Sequence, residues 1–159
     1  MEVVRPGRVL KWLLRVPVVL YSVRAGWLLD HRFLLLRHRG RRSHRLYSTV
    51  LEVVAWRRAI REAVVMSGFG PRSQWYRNLL AGQAVEVQIG RLRFAPSVRT
   101  LSTDEAVGVL ADYERRNRLA VPLVRAVLSK LAGFRYDGSD AAQRRLVHTL
   151  PLVALRPRD

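Results

Sequence analysis

The stretch FLLLRHRGRRSHRLYSTVLEVVAW, residues 33–56, decides the fold of this chain. Two runs rich in strand-forming residues, Phe33–Arg37 and Leu46–Trp56, flank a polar turn at Arg39–Arg45 that contains Gly40. A glycine-containing polar turn between two such runs predicts a β-hairpin. Because most residues of the turn are arginines, the loop of this hairpin is strongly basic.

Outward from the hairpin, the pattern alternates short strands with one inserted helix and then becomes helical. The predicted elements are a strand at Glu62–Ser67, a short helix at Arg72–Ala81 with Pro71 in its first turn, strands at Gln83–Ile89 and Leu92–Leu101, helices at Ser102–Asn117, Val121–Leu131 and Asp140–His148, and a last strand at Pro151–Leu155. Alternating βαβ units are absent, which disfavours a Rossmann fold. The order predicts the α+β class, an antiparallel barrel of five to six strands with helices on its outside.

One helix start carries a specific signature. Ser102-Thr103-Asp104-Glu105 matches the capping box, in which the serine side chain accepts from a free helix amide and the glutamate reaches back to the amide of the cap residue. We therefore expect a well-defined helix N-terminus at Ser102.

Composition excludes several classes of site. The chain has 159 residues, of which 49% are apolar, enough for one domain with a core. It has no cysteine, which excludes disulfides, thiolate nucleophiles and sulfur-ligated metals. The histidines His31, His38, His44 and His148 match no ligand spacing, so we interpret them as structural or surface residues and expect no metal site.

The net charge of +17 predicts an anionic partner: nucleic acid, anionic lipid, or a phosphorylated or polycarboxylate ligand.

From Arg8 to Arg24, apolar residues recur at helical spacing opposite basic ones, which predicts an amphipathic helix bent near Pro17. Such a helix can lie in an anionic membrane surface or pack on its own barrel, and the pattern fits both. No apolar run is long enough to span a bilayer and no signal peptide is expected, so we predict a cytoplasmic protein. If the helix lies in the membrane surface, the protein is peripheral on the inner face of the cell membrane.

Three guanidinium groups and a hydroxyl cluster in the hairpin loop. Gly40-Arg41-Arg42-Ser43 and Arg45 suit a phosphate or a carboxylate-rich tail, because arginine binds such groups bidentately. Taken alone, a basic turn between strands is more often a solvated loop.

Two further motifs follow this loop in order: Val65-Met66-Ser67-Gly68 at a strand end and Trp75-Tyr76-Arg77-Asn78-Leu79 at a helix start. With these three motifs, over roughly residues 26–89, the chain resembles the deazaflavin-dependent nitroreductase family of actinobacteria, which includes quinone reductases. The resemblance implies a split β-barrel that binds the deazaflavin coenzyme F-420, with FMN as the alternative. It also implies hydride transfer from the reduced deazaflavin to a small hydrophobic acceptor such as a quinone, an enone or a nitro compound.

The resemblance also implies a set of cofactor-binding residues. Gly40, Arg41, Arg42 and Ser43 would hold the phosphate and oligoglutamate tail, Arg45 and Tyr47 would lie nearby, Met66, Ser67 and Gly68 would lie beside the deazaflavin ring, and Gln74, Trp75 and Asn78 would wall and orient it. No catalytic side chain is implied, because the hydride chemistry belongs to the coenzyme. The Ser67 hydroxyl is one candidate for polarising an acceptor oxygen.

The chain departs from the family pattern at several positions. His44 stands where the family usually has glycine, Tyr47 replaces a frequent arginine, and Val50 replaces a frequent proline. Nitroimidazole-activating relatives carry several tyrosines shortly before the last strand, where this chain has only Phe134 and Tyr136. Activation of nitro drugs is therefore not implied.

The sequence divides as one domain over 1–159, with the basic helix in 1–30, the barrel strands and cofactor motifs in 31–101, and the helices and closing strand in 102–159. Two other functions stay open. A barrel of this kind could bind deazaflavin or lipid without catalysis, since hydride transfer needs no diagnostic side chain. A basic nucleic-acid-binding domain is disfavoured because the arginines spread over the chain and match no recognition motif. We make no prediction of the oligomeric state from the sequence.

Overall fold

Seven antiparallel strands form one sheet in residues 31–159, the part of the chain that the computed structural model describes. The strands are β1 (Phe33–Arg39), β2 (Leu46–Arg57), β3 (Glu62–Met66), β4 (Ala84–Ile89), β5 (Leu92–Phe94), β6 (Pro96–Thr100) and β7 (Leu152–Pro157). Their order in the sheet is β5-β4-β1-β2-β3-β7-β6, so the two edge strands are consecutive in sequence. The sheet therefore curls into a nearly closed barrel, and the predicted α+β split-barrel class is confirmed.

The strand predicted at Leu92–Leu101 is two strands, which raises the predicted five to six strands to seven. Leu92 and Phe94 of β5 pair with β4, whereas Val98 of β6 pairs with Leu155 of β7 at the other end of the sheet. Pro96 stands at the division, where its fixed φ and missing N–H disfavour a continuous ladder.

Four α-helices accompany the sheet among the described residues: α1 (Gln74–Leu80), α2 (Thr103–Arg116), α3 (Val121–Ala132) and α4 (Asp140–Thr149). Short 3-10 turns precede β3 and α3, at Arg58–Ile60 and Arg118–Ala120. The prediction that Pro71 lies in the first turn of α1 is wrong. The helix begins at Gln74, because the chain first makes a turn in which the amide of Gly70 donates to the carbonyl of Ser67.

The capping box at the start of α2 is half formed. The Ser102 hydroxyl accepts from the amide of Glu105 at 3.2 Å, as predicted. The Glu105 carboxylate instead accepts from Arg57 at 2.8 Å and from Arg99 at 2.7 Å. Hydrogen bonds from these charged donors are stronger than one from the neutral backbone amide of Ser102. Both arginines also bind Glu62, which is buried on β3. This ionic cluster ties α2 to β2, β3 and β6.

Two apolar clusters cover the two faces of the sheet. The barrel interior contains inward-facing strand residues such as Leu34, Leu36 and Val65, together with Trp75 and Leu79 of α1. The second cluster lies between the outer face of the sheet and the later helices. The next inward position of β1 after Leu36 is His38, so the apolar interior becomes polar at the end of the barrel where α1 lies.

No helix of the described part, residues 31–159, is long and apolar enough to cross a membrane. The helix predicted at Arg8–Arg24 lies outside the described residues, and the single-domain division over 1–159 stays a prediction.

Candidate functional site

A cavity of about 620 Å³ lies where the β1–β2 hairpin meets α1. This volume suits a small-molecule or cofactor ligand. Its lining comes from the hairpin, with His38, Gly40, Arg41, Arg42, Ser43, Tyr47, Ser48 and Thr49, and from α1 and the residue before it, with Ser73, Gln74, Trp75, Arg77 and Asn78. No carboxylate belongs to the lining that residues 31–159 provide.

Most of the predicted cofactor-binding residues meet at this cavity. The residues it brings together are Gly40, Arg41, Arg42, Ser43, Tyr47, Gln74, Trp75 and Asn78. Arg45 is an exposed residue of the same loop, and its backbone amide donates to the Ser43 hydroxyl at 3.4 Å. The first and third motifs therefore share one site, although more than thirty positions separate them.

The hairpin loop has a tight, defined shape. The amide of Gly40 donates to the carbonyl of Arg45 at 2.9 Å, and the amide of His44 donates back to the carbonyl of Gly40 at 2.8 Å. A Cβ at Gly40 would overlap the Ser43 hydroxyl and lie 3.0 Å from Cε2 of Tyr47. His44 has a φ of 56°, a left-handed conformation that glycine adopts without strain. The His44 position therefore has the backbone conformation that favours glycine, the residue usual there in the resembled family.

Arg41 joins the loop to α1. Its backbone amide and its Nη1 both donate to Oδ1 of Asn78, at 3.1 and 3.0 Å, and Nη1 also donates to Oε1 of Gln74 at 3.0 Å. Desolvation, followed by repulsion from the charges of Arg77 and Arg42, lowers the pKa of the Arg41 guanidinium. The charges of Arg77 and Arg42 beside Arg41 make this part of the cavity cationic, and an anionic ligand would neutralise them.

His38 is a site residue that sequence reasoning missed. The imidazole is buried, and its ring nitrogens lie 3.1 Å from Nδ2 of Asn78 and 3.1 Å from Oγ1 of Thr49. Its ring also stacks on that of Tyr47, with centroids 5.9 Å apart. The predicted strand ended at Arg37, two residues before the end of β1 at Arg39. Extending the alternation of Leu34 and Leu36 by one step would have placed His38 on the inward face.

The Met66-Ser67-Gly68 motif lies apart from the cavity and faces the helices. Ser67 is fully buried, its hydroxyl donates to the carbonyl of Gly70 at 2.6 Å, and its amide donates to the carbonyl of Pro151 at 2.9 Å. Met66 packs against the outer apolar cluster. The Ser67 hydroxyl, the candidate for polarising an acceptor oxygen, therefore donates its proton to a backbone carbonyl of its own turn.

Tyr136 also lies apart from the cavity, in the outer apolar cluster. Its side chain is buried, and its hydroxyl donates to the carboxylate of Glu114 at 2.7 Å. Phe134 packs under the guanidinium of Arg145, 4.2 Å from the ring centroid. Neither aromatic residue lines the cavity described above.

The fold and the site together define a class: an antiparallel split barrel with a cationic cavity between its first hairpin and an inserted helix. The chain belongs to the family described as "F420H(2)-dependent quinone reductase", whose profile matches residues 19–122. It is therefore a member of an oxidoreductase family whose cofactor is the deazaflavin F-420, and the cofactor predicted from the sequence is confirmed.

Solved structures show the same fold at low sequence identity. A structure described as an F420-H2 dependent reductase is 17% identical, with a TM-score of 0.50 over 80% of this chain and 96% of that chain. A structure described as a domain-swapped dimer is 16% identical, with a TM-score of 0.51 over 92% and 98% of the two chains. A comparison with curated proteins finds no match.

Proposed function

We propose that this protein transfers a hydride from reduced F-420 to a quinone, and that Arg41, Arg42 and Ser43 hold the anionic tail of the cofactor. The observation that carries the proposal is the cavity itself, which has three arginines and no carboxylate in the lining formed by the described residues. Guanidinium groups bind phosphate and carboxylate oxygens through charge-assisted hydrogen bonds. Bound in this way, the reduced deazaflavin supplies the hydride.

The protein's own contribution is binding, orientation and exclusion of water. Trp75, of which 9% is exposed, forms an apolar wall of the cavity, and its ring meets that of Tyr76 edge to face. The amides of Gln74 and Asn78 are held by Arg41, so the polar rim of the cavity is ordered before a ligand arrives. Such preorganisation lowers the entropy cost of positioning two reactants.

Binding of the coenzyme tests this assignment. We expect Arg41→Ala and Arg42→Ala each to weaken F-420 binding about 10- to 100-fold in a titration followed by tryptophan fluorescence, since a hydrogen bond to a charged group contributes about 1.5–3 kcal/mol. Arg93→Ala is the matched control, because Arg93 is exposed on β5 and does not line the cavity. FMN at equal concentration tests the alternative cofactor. Equal effects of all three variants, or no binding of F-420, would overturn the assignment.

Turnover separates an enzyme from a barrel that only binds deazaflavin or lipid. With F-420 in its reduced form, we expect hydride transfer to menadione to be faster than to a cyclohexenone or a nitroaromatic probe. Tight binding without oxidation of the cofactor by any of these probes would favour the non-catalytic alternative. Steeply salt-dependent binding of nucleic acid without F-420 binding would favour the nucleic-acid alternative.

We also propose that the quinone is reached from an anionic membrane surface. The support among the described residues is an apolar stripe on the exposed side of α3 and the turn before it: Leu119, Leu123 and Val127 are 96%, 67% and 49% exposed. The surrounding segment, residues 115–136, has six basic residues and no acidic one. Apolar side chains within a basic surface complement the headgroups and acyl chains of an anionic bilayer.

Vesicle flotation tests the membrane proposal. The protein should float with phosphatidylglycerol-containing vesicles and less with pure phosphatidylcholine, and the triple variant Leu119→Ser/Leu123→Ser/Val127→Ser should lose part of this binding. Flotation that the triple variant leaves unchanged would assign the membrane contact to the predicted helix at Arg8–Arg24 instead. A protein that stays with the soluble fraction, or one whose stripe mediates self-association, contradicts the proposal.

A further inference from the structure

We propose that His38 is a positioning residue that fixes Thr49 as the hydroxyl donor of the cavity, so that Thr49 binds a carbonyl oxygen of the bound ligand. The orientation of the Thr49 hydroxyl follows from the protein alone. Only the identity of the ligand rests on the proposed function.

The first step is the orientation of the Asn78 amide. Its Oδ1 lies 3.1 Å from the backbone amide of Arg41 and 3.0 Å from Nη1 of the same residue. Both of these groups are donors only, so the atom facing them must be the amide oxygen. The amide nitrogen of Asn78, which can only donate, therefore faces Nδ1 of His38 at 3.1 Å.

The second step is the tautomer of His38. Because Nδ1 faces a donor, it must accept, and the ring proton must lie on Nε2. A cationic imidazole would set two donors against each other at Nδ1. The groups around the ring are Asn78 of α1, Thr49 and Tyr47 of β2, and the backbone of Arg39, none of which is a carboxylate, and the ring is 3% exposed. Burial lowers the pKa of His38, and it outweighs the hydrogen bond with the Arg39 backbone, which acts in the opposite direction. This setting favours the neutral form.

The third step is the direction of the Thr49 hydroxyl. Nε2–H of His38 donates to Oγ1 of Thr49 at 3.1 Å, which uses one lone pair of the hydroxyl oxygen. The hydroxyl hydrogen must then point away from His38. Thr49 lines the cavity, and within residues 31–159 its hydroxyl oxygen has no hydrogen-bond partner other than His38, so the hydrogen is available to the ligand.

A donor of fixed direction selects an acceptor atom. If His38 had the opposite tautomer, Thr49 would donate to His38 and present only a lone pair to the cavity. The arrangement found thus prefers a ligand oxygen over a ligand N–H at this point. Carbonyl oxygens occur both on a deazaflavin ring and on a quinone acceptor, and the two sources differ in which binding step the hydroxyl affects.

The tautomer is tested on the free protein by nitrogen-15 NMR of labelled histidine. We expect His38 to be neutral at pH 7 with its proton on Nε2. The variant Asn78→Asp replaces the amide nitrogen that faces Nδ1 with an acceptor oxygen, so it should move the proton to Nδ1 or make the ring cationic, whereas Asn78→Gln should not create a cation. A wild-type ring protonated on Nδ1 would overturn the relay even if F-420 binds.

The ligand contact is tested by Thr49→Val and Thr49→Ser. We expect the valine variant to weaken binding about 3- to 10-fold, as loss of one neutral hydrogen bond predicts, and the serine variant to retain it. A change in the dissociation constant of F-420 assigns the oxygen to the cofactor, and a change only in KM for menadione assigns it to the acceptor. If F-420 binds and neither quantity changes in the valine variant, the contact is refuted. If the tautomer is as expected but F-420 does not bind, the proposed function fails and the relay stands.

Discussion

Oε1 of Glu62 lies 2.6 Å from Nη1 of Arg57, and only 1% of the Glu62 side chain is exposed. Burial favours the neutral form of this carboxyl, but hydrogen bonds from Arg99 and Arg57 outweigh it and lower the Glu62 pKa. The pair is therefore ionic inside the fold, and removing either partner would leave the other charge without compensation and destabilise the fold.

Replacing Glu62 should destabilise the barrel. Glu62→Gln places a neutral amide at a buried position against two partly exposed guanidinium groups, and we expect the free energy of unfolding to fall by about 2 kcal/mol. Glu86→Gln is the matched control, because Glu86 pairs with Arg37 at 3.4 Å in a partly exposed position, where such a pair contributes less than about 1 kcal/mol. Urea denaturation measures both changes. Equal losses in the two variants would show that burial of Glu62 does not matter.

The same cluster predicts an acid dependence of stability. Hydrogen bonds from Arg99, opposed by partial burial and supported by Arg57, lower the pKa of Glu105 to about 2, from 4.5. A carboxyl with a depressed folded-state pKa stabilises the fold above its unfolded pKa and loses that contribution as the pH falls. We expect the thermal midpoint to decrease between pH 4.5 and pH 2, and less steeply in Glu105→Gln. Parallel pH profiles of the two proteins would contradict the expectation.

Gly40→Ala should damage the site more than the fold. The added Cβ would displace the Ser43 hydroxyl and press on Tyr47, so we expect F-420 affinity to fall at least about tenfold. Gly108→Ala is the control, since a Cβ at Gly108 in α2 meets nothing within 4 Å and alanine should stabilise the helix by about 0.5–1 kcal/mol. Fluorescence titration and thermal unfolding of both variants distinguish the effects. Unchanged affinity in Gly40→Ala would mean that the loop does not hold the tail.

Tyr136→Phe should lower stability without affecting the cofactor. The Tyr136 hydroxyl donates to Glu114 in a buried position, and its loss leaves a buried carboxylate with Arg125 as its remaining charged partner. We expect a loss of about 1–2 kcal/mol in the free energy of unfolding. Tyr113→Phe removes a hydroxyl that donates to Glu52 at 2.8 Å near solvent, and should cost less. A weaker affinity for F-420 in Tyr136→Phe would instead connect this tyrosine with the site.

Local patterns predicted the hairpin, the start of α2 and the last strand because their signals lie within a few residues. The Ser102 cap and the alternation of β2 depend only on neighbouring side chains. The division of β5 from β6 could not be predicted in the same way. Apolar residues continue through Ala95, and only the partners at opposite ends of the sheet decide that the chain bends there.

The site residues that could be predicted from the sequence are those that belong to a family motif. Arg41 and Asn78 were both expected at the cofactor, but their mutual hydrogen bonds depend on how α1 packs against the hairpin. His38 and Thr49 carry no motif, and they meet because the pairing of β1 with β2 sets Leu36 opposite Thr49 and His38 opposite Tyr47. Register across strands is a property of the folded sheet, not of either strand alone.

The position of β7 has a consequence for biosynthesis. β7 lies between β3 and β6 and is the only ladder partner of β6 in the described sheet, although the helices α2, α3 and α4 are translated before it. While these helices leave the ribosome, β3 has one unpaired edge and β6 has no ladder partner, and unpaired strand edges are where nascent chains mispair. We therefore expect the barrel to close only after Leu152–Pro157 has left the exit tunnel, and a chain truncated before β7 to form an open, aggregation-prone sheet.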